Sequence, residues 1–191
     1  MPQGQLYIRT HATKQLQSGA TGLIEDRPAH WTNQYAEDGG GWVDTYLRYG
    51  LSLSEKAMSQ LMTPPPNKKP QGNTSATANG VAYPSSMIGK KDEKDFSLDI
   101  HFTAPDKATF LNRFDLFCSE VLDVGYFQLR FTVDGVPDGQ GGREKRDRGV
   151  YHLLYQDFQQ FEEFCMNMAK FTLSVKEPHP EIRDERKPTI L

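Results

Sequence analysis

The chain has only two cysteines, Cys118 and Cys165, and they form neither a CxxC pair nor a zinc-binding spacing. Two separate thiols in a reducing compartment are the favoured interpretation, with a disulfide or a catalytic thiol as the alternatives. Long apolar runs are also missing. No stretch approaches the roughly 18 residues of a membrane span, and the opening residues, MPQGQLYIRT, lack the apolar core of a signal peptide. These absences indicate a soluble protein of a cytoplasm-like compartment.

Apolar residues are scarce for a chain of this size. Hydrophobic residues make up 37% of the 191, and the mean hydropathy is -0.65. A chain of this length has room for one domain with a single core, so the shortage predicts that much of it lies in loops or arms. The net charge of -3 excludes a global basic field for nucleic acid.

Motifs for catalysis and for metal binding are missing as well. The five histidines form no HExxH pattern, and no nucleophile elbow, P-loop or dinucleotide fingerprint occurs. The segment DGVPDG lacks the spacing of a calcium loop, and the charged segment DGQGGREKRDRG is typical of a solvated loop. The sequence therefore predicts no catalytic residue, no cofactor and no metal, and an enzyme using scattered carboxylates is the weakest hypothesis.

Two helices are predicted from capping signals and apolar stripes. Ser52 and Glu55 match a capping box ahead of a short helix that Thr63-Pro64 ends. The clearest helix runs over 105–124, with Thr103 and Asp106 as its capping pair and Gly125 past its end.

About six strands are predicted from alternation. The clearest is Asp95–Thr103, and the segment GWVDTYLRYGLSLS is predicted to be a strand with a bend at Gly50. The others are QLYIRT, GYFQLRFTV, VYHLLYQDFQQF and AKFTLSVKEP, the last two joined by a Glu-rich segment. The tail HPEIRDERKPTIL is predicted to fray. These elements predict an α+β fold, an antiparallel β-sandwich or barrel of about six strands with one packed helix.

Three long loops are predicted, over 11–40, 64–91 and 134–149, and loops of this length are usually functional or disordered. The second contains TPPPNKK, for which a PxxP ligand, a domain linker and a docking arm are the candidates. The helix before it is too small to form a core of its own, which weighs against a linker. A proline-stiffened arm that docks on a neighbouring subunit is the favoured interpretation.

From about residue 41 to 180 the sequence resembles the phage tail structural proteins, most closely the distal tail and tail tube proteins of long-tailed phages and prophages. The similar segments keep one order: TPPPNKK, KKDEKDFSLDIHF, DKATFLNRFDLFCSEVL, GYFQLRF, GVYHLLY and AKFTLSVKEPHP. The chain departs from the distal tail pattern in three ways. The distal tail pattern has a basic residue just before the alternating strand, and Lys94-Asp95 matches this position only loosely. A carbohydrate-module-like C-terminal domain is absent, and the first 40 residues find no match. A plain tube-building or short ring protein therefore stays open.

This resemblance implies a non-enzymatic virion protein, assembled in the bacterial cytoplasm and found in the phage tail. It implies a homo-oligomeric ring, most simply a hexamer, that joins tail tube to baseplate, contacts other tail proteins and passes DNA through its lumen without specific binding. The alternative is a monomeric module that presents its loops to a peptide or glycan.

The predicted organisation is an N-terminal strand and loop over 1–40, a tail-tube-like domain over 41–180 with an arm at 63–91, and a charged tail over 181–191. Trp42, Tyr46, Met58, Leu61 and Met62 are predicted to lie in the core or at an interface. The subunit-interface residues predicted from this interpretation are Met62, Pro64, Pro65, Pro66, Lys68, Lys69, Tyr83, Arg143 and Arg146.

Overall fold

The computed structural model of the chain describes residues 6–10, 12–13, 42–68, 73–74, 81–82, 90–137, 143–165 and 167–183. The strands are β1 Leu6–Arg9, β2 Val43–Asp44, β3 Leu51–Leu53, β4 Asn73–Thr74, β5 Val81–Ala82, β6 Lys94–Thr103, β7 Tyr126–Pro137, β8 Arg143–Phe158, β9 Glu163–Cys165 and β10 Met168–Glu177. The helices are α1 Thr45–Tyr49, α2 Glu55–Met62 and α3 Lys107–Phe117, the last continued by a π-helical turn, Cys118–Leu122.

Eight of the described strands form one antiparallel sheet in the order β2-β1-β7-β8-β10-β6-β3, with β9 also paired to β10. The sheet curls into a half-barrel. The prediction of a mainly antiparallel β-fold with few helices is confirmed, and the half-barrel is compatible with the expected α+β barrel or sandwich. The strand count is higher than the six expected, because short strands of two or three residues carry too little alternation to be recognised.

The core lies between one face of this sheet and α3. Phe102 on β6 meets Phe110 on α3 with ring centroids 4.7 Å apart, and Phe158 stacks on Phe171 at 4.8 Å. Full burial of one such side chain contributes roughly 1.5–3 kcal/mol. The apolar stripe of α3 is therefore what closes the half-barrel over its core.

The helix boundaries differ from those predicted. Ser54, and not Ser52, caps α2, because its side chain accepts from the Ala57 N–H, whereas Ser52 is part of β3. Asp106 alone caps α3 through the Thr109 N–H at 2.9 Å. The helix ends in a π-helical turn, and Gly125 follows it with a φ of 74°.

The predicted strand with a bend at Gly50 is wrong over Thr45–Tyr49, which form α1, while β2 and β3 on either side of this helix are strands. Asp44 caps this helix by accepting from the N–H groups of Tyr46 and Leu47, and Gly50 ends it with a φ of 78°. Glu120 fixes α1 to the π-helical turn, where it accepts from Arg48 Nε and from the Tyr49 hydroxyl, both at 2.7 Å.

A second, smaller cluster lies on the other face of the sheet. Trp42 is 1% exposed and contacts two buried guanidinium groups, with that of Arg9 4.7 Å and that of Arg130 4.4 Å from its ring. Tyr7 and Val150 complete the cluster. Both faces of the sheet are thus covered around β1, β7 and β8.

Candidate assembly surfaces

The predicted arm at 63–91 is closed at its root by backbone pairing. Asn67 and Lys91 form an antiparallel bridge, the Lys68 N–H donates to Lys90 O over 2.8 Å, and the Asp92 N–H donates to Pro66 O over 2.8 Å. The outgoing and the returning chain therefore lie side by side at the edge of the domain.

A second pairing follows further along the same segment. Asn73 pairs with Ala82 and Thr74 with Val81, so β4 and β5 form a two-stranded antiparallel sheet of their own. The prediction that nothing is regular between Pro64 and Lys91 is wrong at these positions. Pairing between the two halves of a hairpin needs no apolar alternation, and this is why the segment looked like a loop.

The predicted interface residues of the arm are solvent-facing wherever the structure describes them. Pro64, Pro66 and Lys68 are exposed and Pro65 is half-buried. Met62 is 51% exposed at the end of α2. Lys69 and Tyr83 lie outside the described residues.

Lys94 anchors the root of this arm to the sheet. Its buried ammonium donates to two carbonyl oxygens at the end of α2, that of Gln60 and that of Thr63, the latter over 2.8 Å. It also lies 4.7 Å from the Phe96 ring. Burial lowers the pKa of Lys94, and the neighbouring Glu177 opposes that effect.

The predicted third loop, 134–149, is mostly a β-hairpin. Strand pairing between β7 and β8 continues through Val136 with Glu144 to Pro137 with Arg143. Arg143 and Arg146 therefore lie on a strand, with Arg146 opposite Val133. The composition of this segment is polar and rich in glycine, so the loop interpretation missed pairing that depends on the backbone.

This hairpin extends beyond its neighbours in the sheet. β1 pairs with β7 only between Gln128 and Phe131, and β10 pairs with β8 only between Leu154 and Phe158. Among the described strands, residues 132–137 and 143–148 consequently pair with each other alone. The domain thus carries two paired-strand extensions, the arm at 63–91 and this hairpin.

The part of the β6 edge that β3 leaves unpaired is, by contrast, covered by α2. The Gln60 side chain accepts from the Ser97 N–H at 3.0 Å, and the Ser54 N–H donates to Asp99 O at 3.0 Å. Covering an edge in this way is a common protection against unwanted strand pairing.

Of the five residues predicted to lie in the core or at an interface, some are buried and others are exposed. Trp42 and Leu61 are each 1% exposed, and Met58 packs partly buried against the core. Tyr46 is 59% and Met62 is 51% exposed. Only the last two are accessible to a partner.

A polar row crosses the second face of the sheet. Arg9 Nε donates to Gln128 Oε1 at 2.6 Å, which turns the amide nitrogen of Gln128 toward His152 Nδ1, 3.3 Å away. An amide nitrogen can only donate, so Nδ1 accepts. The Tyr126 hydroxyl, 2.6 Å from the same nitrogen, is then its second donor.

Burial raises the pKa of Tyr126 to about 12, which keeps this hydroxyl protonated near neutral pH. Gln128 and His152 are almost wholly buried. The hydrogen bonds of this row therefore give buried polar side chains partners inside the fold.

No group of three or more His, Cys, Asp or Glu residues in the described ranges is arranged to hold a metal ion. A cavity under α3 is lined by apolar side chains from β1, β3, β6, β7 and β10 and from the end of the helix. No described helix is long and apolar enough to cross a membrane.

The docked residues of the tail were not predicted. Arg183 bonds to the buried Glu177 through both its Nη atoms, its guanidinium lies 4.1 Å from the Tyr151 ring, and its carbonyl accepts from the Val150 N–H. The prediction of fraying is therefore wrong at Arg183. Residues 184–191 lie outside the described ranges.

Comparison of the chain with protein-family models gives no match, and a comparison with curated proteins finds no relative.

Proposed function

We propose that this protein is a non-enzymatic, ring-forming structural subunit of a phage tail, most simply a hexamer at the junction of tube and baseplate. Two lines of support meet in this proposal. One is the ordered resemblance of residues 41–180 to distal tail and tail tube proteins. The other is the observed architecture, a curled antiparallel sheet covered by one main helix and carrying two strand-paired extensions.

The observation that carries the proposal is the pairing in those extensions. An isolated two-stranded hairpin is marginally stable in water, and its outer edges present unpaired backbone donors and acceptors. Residues 132–137 with 143–148, and β4 with β5, pair only with one another among the described strands. A neighbouring subunit would cover such edges, and cyclic symmetry would do so for every copy in turn.

The charge of the chain agrees with a conduit for DNA. With a net charge of -3, a ring of this protein would not hold a passing polyanion by neutralising its phosphates. Contacts with other tail and baseplate proteins would use the ring faces, and neither a cofactor nor a membrane is part of the proposal.

The experiment that tests this function removes one extension and leaves the domain whole. Lys68 and Lys90 already face each other through a backbone hydrogen bond of 2.8 Å. An Asn-Gly turn can therefore replace residues 69–89, because this pair favours a tight hairpin turn. The root bridge and the Lys94 anchor stay in place. A matched variant shortens the other hairpin by joining Thr132 to Asp147, which are paired in β7 and β8.

Light scattering and negative-stain microscopy then report the assembly. We expect rings for the wild type, and smaller species for the arm-less variant with an unchanged circular dichroism spectrum and melting temperature. Rings with an unchanged number of subunits from both shortened variants would contradict the proposal. A strict monomer with both hairpins intact would favour the alternative, a module that presents its loops to a peptide or glycan.

A further inference from the structure

A second sheet edge lies open at the far end of the domain. The described part of β7 pairs with β8 no further than Leu154, and the Tyr155 N–H donates to Gly125 O. Beyond this point, residues 156–165 pair with β10 on their inner side, through β8, β9 and the bonds of Gln159 and Glu162. No described strand pairs with their outer side. We call residues 156–165 the acidic edge.

The composition of the acidic edge is one-sided. It contains three acidic residues, Asp157, Glu162 and Glu163, and no lysine, arginine or histidine. All three are exposed. Glu162 forms an ion pair with Lys170 of β10 at 2.7 Å, so the surface keeps an excess of negative charge. Phe164, 59% exposed, adds an apolar contact, as does Met168, 52% exposed, across the β9–β10 hairpin.

The root of the arm has the opposite charge. Residues 63–91 contain four lysines and no acidic residue. Lys68 and Lys90 are exposed and lie on paired backbone, while the Lys91 ammonium is bonded to Asn67 Oδ1 at 2.7 Å. Two acids follow directly, Asp92, whose N–H donates to Pro66 O in the root, and Glu93, which bonds to Lys176 at 2.8 Å. Exposed Met62 supplies an apolar contact on this surface too.

The basic root and the Glu162–Glu163 end of the acidic edge lie at opposite ends of β10, whereas Gln156, at the other end of that edge, donates to Asp95 near the root over 3.4 Å. Lys94, which anchors the root, is paired with Glu177 of β10, whereas Glu163 is paired with Lys170. Seven residues of extended strand span about 23 Å. The distance is far beyond the range of an ion pair, so Glu162 and Glu163 of one copy do not meet its own basic root.

We propose that the basic root of one copy, with Lys68 and Lys90, docks on the acidic edge of a second copy, with Glu162 and Glu163. This rests on the proposed self-assembly and names the two surfaces that make it. Two different patches at opposite ends of one subunit form a head-to-tail contact, which closes into a ring when the rotation between copies allows it. Opposite charges steer the encounter, and the methionine and phenylalanine side chains at the centre exclude water.

Charge reversal tests this contact from both sides. The first variant is Lys68→Glu with Lys90→Glu, the second is Glu162→Lys with Glu163→Lys, and Lys107→Glu, an exposed change on α3, is the control. For each reversed variant alone, we expect the protein concentration needed for half-maximal assembly to rise at least about tenfold. The control is expected to assemble like the wild type.

Mixing the two reversed variants is the decisive experiment, because each variant then offers the charge that the other lacks. We expect the mixture to regain the mass of the wild-type assembly, with the two variants alternating. If the wild type assembles and the first variant assembles equally well, the docking is wrong while the proposed function stands. If both variants fold and fail to assemble, and their mixture stays dissociated, the docking is also wrong. A wild type that never assembles overturns the docking together with the proposed function.

Discussion

The Lys94 ammonium donates a hydrogen bond to the carbonyl oxygen of Thr63 over 2.8 Å, joining the first residue of β6 to the residue where the arm leaves α2. Helix ends leave carbonyl groups that need a partner from elsewhere, and here the buried Lys94 donates to the Thr63 carbonyl and also to that of Gln60, which accepts from the Thr63 N–H at 3.2 Å as well. The direction in which the arm leaves the domain is thereby coupled to the sheet.

Replacing Lys94 with methionine should loosen this coupling. The variant keeps the apolar stem but removes the ammonium donor from both carbonyls, of which that of Gln60 keeps the Thr63 N–H, and the expected loss is about 1–3 kcal/mol. Limited trypsin digestion should then cut faster at Lys68 than in the wild type. Lys56→Met is the matched control, because Lys56 is on α2, the helix from which the arm leaves, and its side chain is 70% exposed. Equal digestion rates in the two variants would show that Lys94 does not anchor the arm.

Alanine substitutions at Gly50 and Gly125 distinguish the cost of backbone strain from the cost of steric overlap. Both have a positive φ, 78° and 74°. A Cβ at Gly50 would overlap the carbonyl oxygen of Thr103, whereas at Gly125 it would meet no atom within 4 Å. We expect Gly125→Ala to cost about 1–2 kcal/mol of unfolding free energy, and Gly50→Ala at least about 2 kcal/mol more. Urea denaturation measures both, and equal losses would contradict the close packing of Gly50 against β6.

Glu177 should make the free energy of unfolding depend on pH. Burial raises its pKa above the usual 4.5 despite the pairing with Arg183. Between 4.5 and the raised value, the unfolded chain releases this proton while the folded chain keeps it, so the folded state binds more protons. The unfolding free energy contributed by this group therefore falls as pH rises through that window and is constant above it. Glu177→Gln should remove this fall in denaturation curves recorded across the window, and an unchanged pH dependence would assign it to other groups.

The Tyr126 hydroxyl tests the polar row on the second face. Tyr126→Phe removes one of two donors to the buried His152 nitrogen and should cost about 1–3 kcal/mol. Tyr46→Phe removes a hydroxyl from a side chain that is 59% exposed, and should change stability by less than about 0.5 kcal/mol. If thermal unfolding shows the same stability for both, the hydrogen bond to His152 contributes nothing net.

The sequence was informative where one face of an element is buried. Alternation predicted a strand at 95–103, and β6 runs from Lys94 to Thr103. The apolar stripe and Asp106 likewise predicted α3. In both cases burial imposes a periodic pattern that can be recognised without knowing what packs against the element.

Elements that depend on a distant partner were missed. α1 has five residues, too few for a helical period, and it relies on the Asp44 cap and on Glu120 from the other end of the core. The hairpin over 132–148 is held by pairing between its own two strands. Within the acidic edge, residues 156–161 were predicted as the end of a strand, and the residues after them only as a Glu-rich connection, so the pairing of β9 with β10 was missed.

The candidate assembly surfaces were predicted in part. Prolines and lysines without apolar residues directed attention to the arm, and charge directed it to the segment containing Arg143 and Arg146. Composition could not show that both segments are paired, nor that the arm root and the Glu162–Glu163 end of the acidic edge lie at opposite ends of β10. Those relationships follow from strand register, which only the folded chain defines.

The measurement that tests the central claim most directly is the mass of the wild-type protein by light scattering over a wide concentration series, with negative-stain images of each peak. Our proposal predicts closed rings, most simply of six subunits, or stacks of such rings, at the higher concentrations. A monomer throughout the series, with the hairpins folded and protected from protease, would contradict it.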